Sequence, residues 1–408
     1  PPEAGYPAGT IVLAEALGLG SGAWIPGAVV SVEATLTPNV AAWVPLVMIY
    51  GSIASALPVW VLLQPRDYLS SFLLYAGVGG AIVAIVVGTL LGTSAEPLAV
   101  DPSIGAFNGF WGVEGVFLPL FPLLFITIAC GTISGFHSLV SSGTTAKQLD
   151  KETDARLIGY GGMLGEGLLA SVALSALAIA GVTSGSGIGR ALPNFATGGG
   201  TMLTSFGIPQ TVGAVFMALV LVSFLLTSTD TAVRLGRYMM EEIVGTTPGR
   251  TDTGLSADLG SIARGRYTNP LVQIIPAYAL VISGQWVTLW ALFGGANQLL
   301  AALALLTATI WLANWDESKQ LATTGVPMAI MVTITVLGIS WLVFYENLYL
   351  NLIQGGAETG EAIVSSAVQM ILGLVLIGLA LALVRLGYRN ITEVRGGPET
   401  PAAEPGDD

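Results

Sequence analysis

Charge is scarce in this sequence. Of its 408 residues only 10% are Asp, Glu, Lys or Arg, against about 25% in a typical soluble domain. Cysteine is nearly absent. Cys130 stands alone, which excludes an internal disulfide and a cysteine-based metal site. Lysine and arginine together number 14 against 26 acidic residues, for a net charge of −12, and that excludes the basic surface that nucleic acid requires. A phosphate-binding G-x-x-x-x-G-K-[ST] loop is missing, so direct ATP drive is not expected. A G-x-S-x-G turn is missing as well. The chain opens Pro1-Pro2 without Met and shows no signal peptide. An N-terminal portion is therefore expected to lie outside this sequence.

What the chain has instead is apolar sequence, 53% of it hydrophobic, together with 53 glycines. Glycine at this frequency suits close helix packing and interrupted helices in a bilayer. A hydrocarbon core takes about 20 mostly apolar residues per helix. The stretches that meet this test are Ala41–Leu63, Ser71–Gly92, Val116–Val140, Ile158–Gly181, Ile208–Ser228, Leu271–Leu289, Trp290–Ala313, Val326–Tyr345 and Ala362–Val384. Thr10–Val30, Gly-rich and carrying Glu15, is a further short span or re-entrant segment. The expected fold class is an all-α polytopic membrane protein of about 9–10 transmembrane helices. Residues 1–390 form one transmembrane domain in this reading, and 391–408, rich in Gly, Pro and Asp, form a disordered tail.

Orientation follows from the basic residues. If the loop holding Arg66 is cytoplasmic, every one of the 14 lysines and arginines except Arg190 falls on the cytoplasmic side. The outer loops carry Glu96, Asp101, Glu346, Glu358 and Glu361, and the C-terminus is cytoplasmic. Tryptophans such as Trp43, Trp60, Trp111 and Trp341 fall near helix ends, and the short Gln285–Trp290 link implies an antiparallel hairpin.

The second half of the third span is unusually polar for a lipid-facing helix. It holds Gly131, Thr132, Ser134, Gly135, His137, Ser138, Ser141 and Ser142. Glycine and serine favour local unwinding, and unwound backbone at membrane depth survives only beside protein or a cavity. Helix breaks of this kind build substrate sites in transporters. The plainer alternative is a small-residue packing face that ends in a polar loop. His137, with an ordinary titration near neutral pH, suits a coupling proton, or else bonds a neighbouring carbonyl as a structural residue. Glu166 in the fourth span binds a proton or sits at a cap or interface. Thr227, Ser228, Asp230 and Thr231 ligate sodium or relay a proton, or else cap a cytoplasmic helix over Thr231–Val244. Asn297 and Gln298 bond across helices more readily than they bind substrate. A serine hydrolase on Ser134 and His137 lacks an acidic orienter, and a passive channel lacks a ring of charge.

Four segments together resemble the carbon starvation protein A family. They are LPVWVLLQPRDYL (Leu57–Leu69), GTISGFHSLVSSGTTAKQLDKETDAR (Gly131–Arg156, followed by IGYGGML), TDTAVRLGRYM (Thr229–Met239) and LWALFGGANQLLAA (Leu289–Ala302). The resemblance implies a carrier of the bacterial cytoplasmic (inner) membrane that takes up peptides or pyruvate during carbon starvation. It implies a co-transported proton, with sodium the alternative that the Thr227–Thr231 cluster offers; membrane lipid is the expected surround, and no cofactor is expected. It also implies a fold distantly similar to the amino acid–polyamine carriers, with inverted repeats and a broken helix. Family members carry further spans before the PRDYL segment and a longer outer segment than Val182–Gly207.

Overall fold

Helices are the only regular elements among the residues that the computed structural model describes, which are 38–94, 98, 110, 119–128, 131, 133–180, 188–244, 262, 265–282, 286–314, 318–357 and 359–396. The chain clusters into two compact units. One comprises Pro1–Phe107 with Gln148–Val287, the other Asn108–Lys147 with Thr288–Asp408.

The first unit holds α1 (Pro38–Ala56), α2 (Leu63–Leu91, with a π-helical turn over Tyr75–Gly79), α5 (Glu152–Ala180), α6 (Ile188–Leu203), α7 (Gln210–Val244) and α8 (Thr268–Ile282). α1 stops ahead of Pro58, because the residue before a proline is pushed out of the helical region. The chain then turns through residues 57–62 before α2 begins, so Ala41–Leu63 is a helix and a turn rather than one span. α2 closes at Gly92, whose φ of 61° is the left-handed conformation favoured at a helix C-terminus. α6 is the core element. It packs on α5 and α7, and Val78, Ala81 and Ala84 of α2, Val172 and Ala176 of α5, Phe195 and Met202 of α6, and Met217 of α7 form one buried cluster. A side chain on Gly198 would strike the Ala176 carbonyl, and one on Gly199 would strike Met217. The described part of segment Val182–Gly207 is thus largely helix. It escapes hydropathy because glycines and threonines are interspersed with Phe195, Met202 and Leu203 on its contact surface.

The second unit holds α3 (Leu120–Thr127), α4 (Gly135–Gly143), α9 (Trp286–Leu312), α10 (Ser318–Ser340, continued as a π-helix over Trp341–Ile353) and α11 (Gly360–Gly396). Leu123 and Ile126 of α3 pack on Leu342, while Leu292 of α9 packs with Ile339 and Val343.

Among the described residues six helices are long and apolar enough to cross a membrane: Leu63–Leu91, Glu152–Ala180, Gln210–Val244, Thr288–Leu312, Leu321–Ile353 and Ala362–Val394. The architecture is that of an all-α polytopic membrane protein. Several boundaries differ from the hydropathy reading. Val116–Val140 is two helices with a break. α9 already begins at Trp286, inside the stretch read as the Gln285–Trp290 link. Glu346 sits inside the π-helix rather than in an outer loop. α11 runs on to Gly396, past the expected boundary at residue 390, and residues 397–408 and the Thr10–Val30 segment lie outside the described residues.

Candidate functional site

Of the four quoted segments, Leu57–Leu69 and Thr229–Met239 meet inside the first unit, and the Gly131–Lys147 part of a third meets Leu289–Ala302 inside the second. In the second unit the third span is interrupted. α3 ends at Thr127, Ile133 and Ser134 are non-helical, and α4 starts at Gly135. Ser134 is the N-cap of α4: its backbone is extended, and its Oγ accepts from the His137 backbone N–H at 3.3 Å. The first amides of a helix have no partner of their own. Here the Phe136 N–H donates to Asn297 Oδ1 of α9 at 2.7 Å, and Ser134 Oγ lies 3.4 Å from the same oxygen. Glycine permits this approach from both sides of the break. A Cβ on Gly135 would strike the Asn297 carbonyl, Leu300 and Ala301, and a Cβ on Gly294 of α9 would strike the Ile126 carbonyl of α3. Both halves of the broken span therefore lie against the backbone of α9.

In the first unit a part-buried ion pair joins Arg66 of α2 to the buried Asp230 of α7. Arg66 Nη1 donates to Asp230 Oδ2 at 2.5 Å and Nη2 to Oδ1 at 3.3 Å. Arg66 also donates to the Tyr50 hydroxyl at 2.8 Å and to Asp67 Oδ1 at 3.2 Å. Thr227 donates to the same Asp67 oxygen at 3.0 Å. Asp230 is 2% exposed. One turn further along α7, Arg234 donates to the Leu57 and Ala54 carbonyls at 2.8 Å each, and Arg266 donates to the Ala56 carbonyl at 2.6 Å. These carbonyls close the C-terminal end of α1, where a helix presents unpaired acceptors and negative partial charge.

The expected site residues are distributed accordingly. Ser134, Gly135, His137, Ser138, Ser141, Ser142, Asn297 and Gln298 belong to the second unit. Asp230, Thr227, Ser228, Thr231 and Glu166 belong to the first. Thr132 lies outside the described residues, and Gly131 is exposed beside them. Ser138, Ser141 and Ser142 donate to carbonyls three or four residues back on their own helix. Gln298 is 1% exposed and accepts from Thr335 at 3.4 Å. Both amides thus bond across helices. Glu166 is half-buried on α5, and Ser228 is exposed. The proposed cap at Thr227–Thr231 is overturned, since α7 runs unbroken from Gln210 to Val244. Hydropathy splits the helix there because Asp230, Arg234 and Arg237 interrupt the apolar run, yet all three are buried against neighbouring elements.

Arg66 is the residue that the sequence reading missed. Beside Pro65 and Asp67 it reads as a loop charge. The usable signal was Asp230 itself, because an acid in an apolar helix requires a cation nearby.

The model of the family described as Carbon starvation protein CstA matches residues 8–186 and 178–338. The chain belongs to the carbon starvation protein CstA family. It is 34% identical over 351 residues to the peptide transporter CstA of Helicobacter pylori, covering 72% of this chain and 48% of that protein. It is 33% identical over 371 residues to the peptide transporter CstA of Bacillus subtilis, covering 81% of this chain and 58% of the relative. With the pyruvate/proton symporter BtsT of Escherichia coli it shares 31% identity over 377 residues, 73% of this chain and 50% of the symporter. The chain thus spans about half the length of these CstA-family relatives. No solved structure matches it.

Proposed function

We propose that this CstA-family chain acts in secondary active uptake of a small nutrient, a peptide or pyruvate, across the bacterial cytoplasmic membrane under carbon starvation, driven by a co-transported proton. The observation that carries this reading is the pairing of the family segments. One pair builds an interrupted span whose break is held by Ser134, Gly135 and Asn297, and the other builds a part-buried Arg66–Asp230 ion pair in helices long enough to cross a bilayer. Broken helices and intramembrane charges are the parts from which carriers assemble substrate and ion sites. The names of the relatives, peptide transporter and pyruvate/proton symporter, supply the two substrate classes. The likeness to the amino acid–polyamine carriers, with inverted repeats, belongs to the same proposal.

The polar face of α4 with Asn297 and Gln298 is the proposed substrate-side lining. His137, Glu166 and Asp230 are the proposed proton-coupling groups, in a chain that uses no cofactor. Pyruvate carries a negative charge into a cell that is negative inside, against about 2.3 kcal/mol per 100 mV. One proton cancels that cost and adds the pH gradient as a drive. The full chain in sealed proteoliposomes is expected to accumulate labelled pyruvate or a dipeptide when the lumen is made alkaline, and to stop when the gradient is collapsed. Accumulation that follows a sodium gradient and ignores pH would replace the proton by sodium. Equilibration without accumulation would mark a channel, and release of hydrolysed product an enzyme.

A further inference from the structure

The Arg66–Asp230 pair has a geometry that asks for more than a brace. Both terminal nitrogens of Arg66 face the Asp230 carboxylate, at 2.5 and 3.3 Å. This is the two-point fork by which a guanidinium binds any carboxylate. The other arginines around it are committed elsewhere. Arg234 and Arg266 hold backbone carbonyls of α1 and the following turn, and Arg237 lies 3.7 Å from Glu241. Arg66 Nε is buried without a hydrogen-bond partner, as are the Nε atoms of Arg234 and Arg237, so what sets Arg66 apart is that its terminal nitrogens face a carboxylate as a fork. A buried ion pair is also a poor source of stability, since desolvation of both charges offsets their attraction.

Resting on the carrier reading above but not on its second-unit substrate lining, we propose that Arg66 is the recognition site for the carboxylate of the transported substrate, and that Asp230 occupies it in the empty protein. Loading is an exchange. The substrate carboxylate takes the place of Asp230 on Arg66, and Asp230 leaves as the neutral acid with one proton taken from the side the carrier faces. Before exchange the site holds one cation and one anion. After exchange it holds Arg66 positive, the substrate negative and Asp230 neutral, so the sum is zero in both states. Loading thus leaves the charge of the Arg66–Asp230 pair plus its guest unchanged when one proton accompanies each carboxylate. Release reverses the steps: Arg66 returns to Asp230, and the proton departs.

The groups that face Asp230 fit this cycle. Tyr50 of α1 and Asp67 of α2 both accept from Arg66, and can hold it while its partner changes. Arg234 lies close enough on α7 to act electrostatically on Asp230. Arg237 faces Glu241 and Arg266 the Ala56 carbonyl, and α6, which also packs on α7, brings no charged side chain among those described. The ligand class is therefore a free carboxylate, which the C-terminus of a peptide and a 2-oxo acid share and their amides lack.

The test uses the full chain, with pyruvate and a dipeptide as probes against pyruvamide and the dipeptide amide. In weakly buffered solution the wild type should take up one proton per pyruvate bound, and its affinity should weaken by up to about tenfold per pH unit on raising the pH. Asp230→Asn should bind pyruvate with no proton uptake and a flat pH profile, and exchange it across a membrane without accumulating it. Arg66→Gln should lose binding of both acids by more than about a hundredfold, with Arg66→Lys retaining part of it, and the amides should not compete in the wild type. If the wild type takes up neither acid, the carrier reading fails, and this inference with it. If the wild type accumulates the acids but accepts the amides equally, or Asp230→Asn keeps wild-type proton uptake, this inference is overturned while the carrier reading stands. Variants that only lower the melting temperature and keep proton uptake in the folded fraction would mark the pair as a brace, and would overturn it too.

Discussion

Two glycine environments in this chain are opposite in kind. Gly135 and Gly294 lie against backbone atoms of α9 and α3, where any Cβ forces a shift. Gly161 and Gly165 on α5 have nothing within 4 Å of a built Cβ. Overpacking typically costs about 1–3 kcal/mol, whereas replacing a helical glycine by alanine at an open position recovers roughly 0.5–1 kcal/mol. Gly135→Ala and Gly294→Ala are thus expected to lower the unfolding temperature in detergent and to loosen the break. Gly161→Ala should leave that temperature unchanged or raise it. Gly135→Leu should abolish uptake with protein still present in the membrane. The reason is the closeness of Asn297, Leu300 and Ala301, because Gly135 itself is the first residue of α4 and is not unwound. Equal melting temperatures for Gly135→Ala and Gly161→Ala would contradict the close contact.

At the scale of elements, the end of α1 is held by arginine rather than by a glycine cap. Arg234 bridges the Ala54 and Leu57 carbonyls, and Arg266 takes that of Ala56. A lysine ammonium cannot span two carbonyls as a planar fork does. Arg234→Lys should therefore destabilise the purified protein by about 1.5–3 kcal/mol, the range for hydrogen bonds to a charged group. The control is Arg389→Lys on α11. Its pair with Glu393 is also arginine–carboxylate but leaves the side chains 74% and 58% exposed, so solvent screens it and little change is expected. Chemical unfolding monitored by tryptophan fluorescence would separate the two. Equal effects would mean that Arg234 is not a clasp. The same buried arginines explain why α7 was read as two pieces. Hydropathy scores a residue by type, and it cannot know that the Ala54 and Leu57 carbonyls accept from Arg234, or that Asp230 accepts from Arg66.

At the scale of the whole molecule, the sequence places its basic residues on one side of the membrane, but the structure alters what that asymmetry counts. Arg66, Arg234 and Arg237 are buried or half-buried in helix contacts rather than free in loops. The expectation of a cytoplasmic face therefore rests on residues such as Lys147, Lys151 and Arg156, of which Lys147 is exposed in the turn after α4. Lys147→Cys in a Cys130→Ser background should react with an impermeant maleimide only after the cells are permeabilised. Labelling of intact cells would reverse the topology. A cysteine at Gln354, an exposed residue after the π-helix, should show the opposite pattern.

The sequence by itself determined the class of molecule. Scarce charge and recurrent apolar runs leave an all-helical membrane protein as the economical solution, since every backbone polar group in a bilayer must bond within its own segment. It also pointed to the family, through four segments that resemble it, and it marked the polar run after Gly131 as a place where a helix breaks, although from Gly135 to Gly143 that run is helix. Tertiary structure alone decided how these segments combine. Asn297 read as a buried amide, but its role as the acceptor for the Phe136 N–H depends on α9 lying against α4. Asp230 read as a cap or an ion ligand, and became half of an ion pair only because α2 brings Arg66 to it across 164 residues of sequence. Such partners are invisible to composition and periodicity. Both report which surface a helix buries, and neither reports which other helix will meet it there.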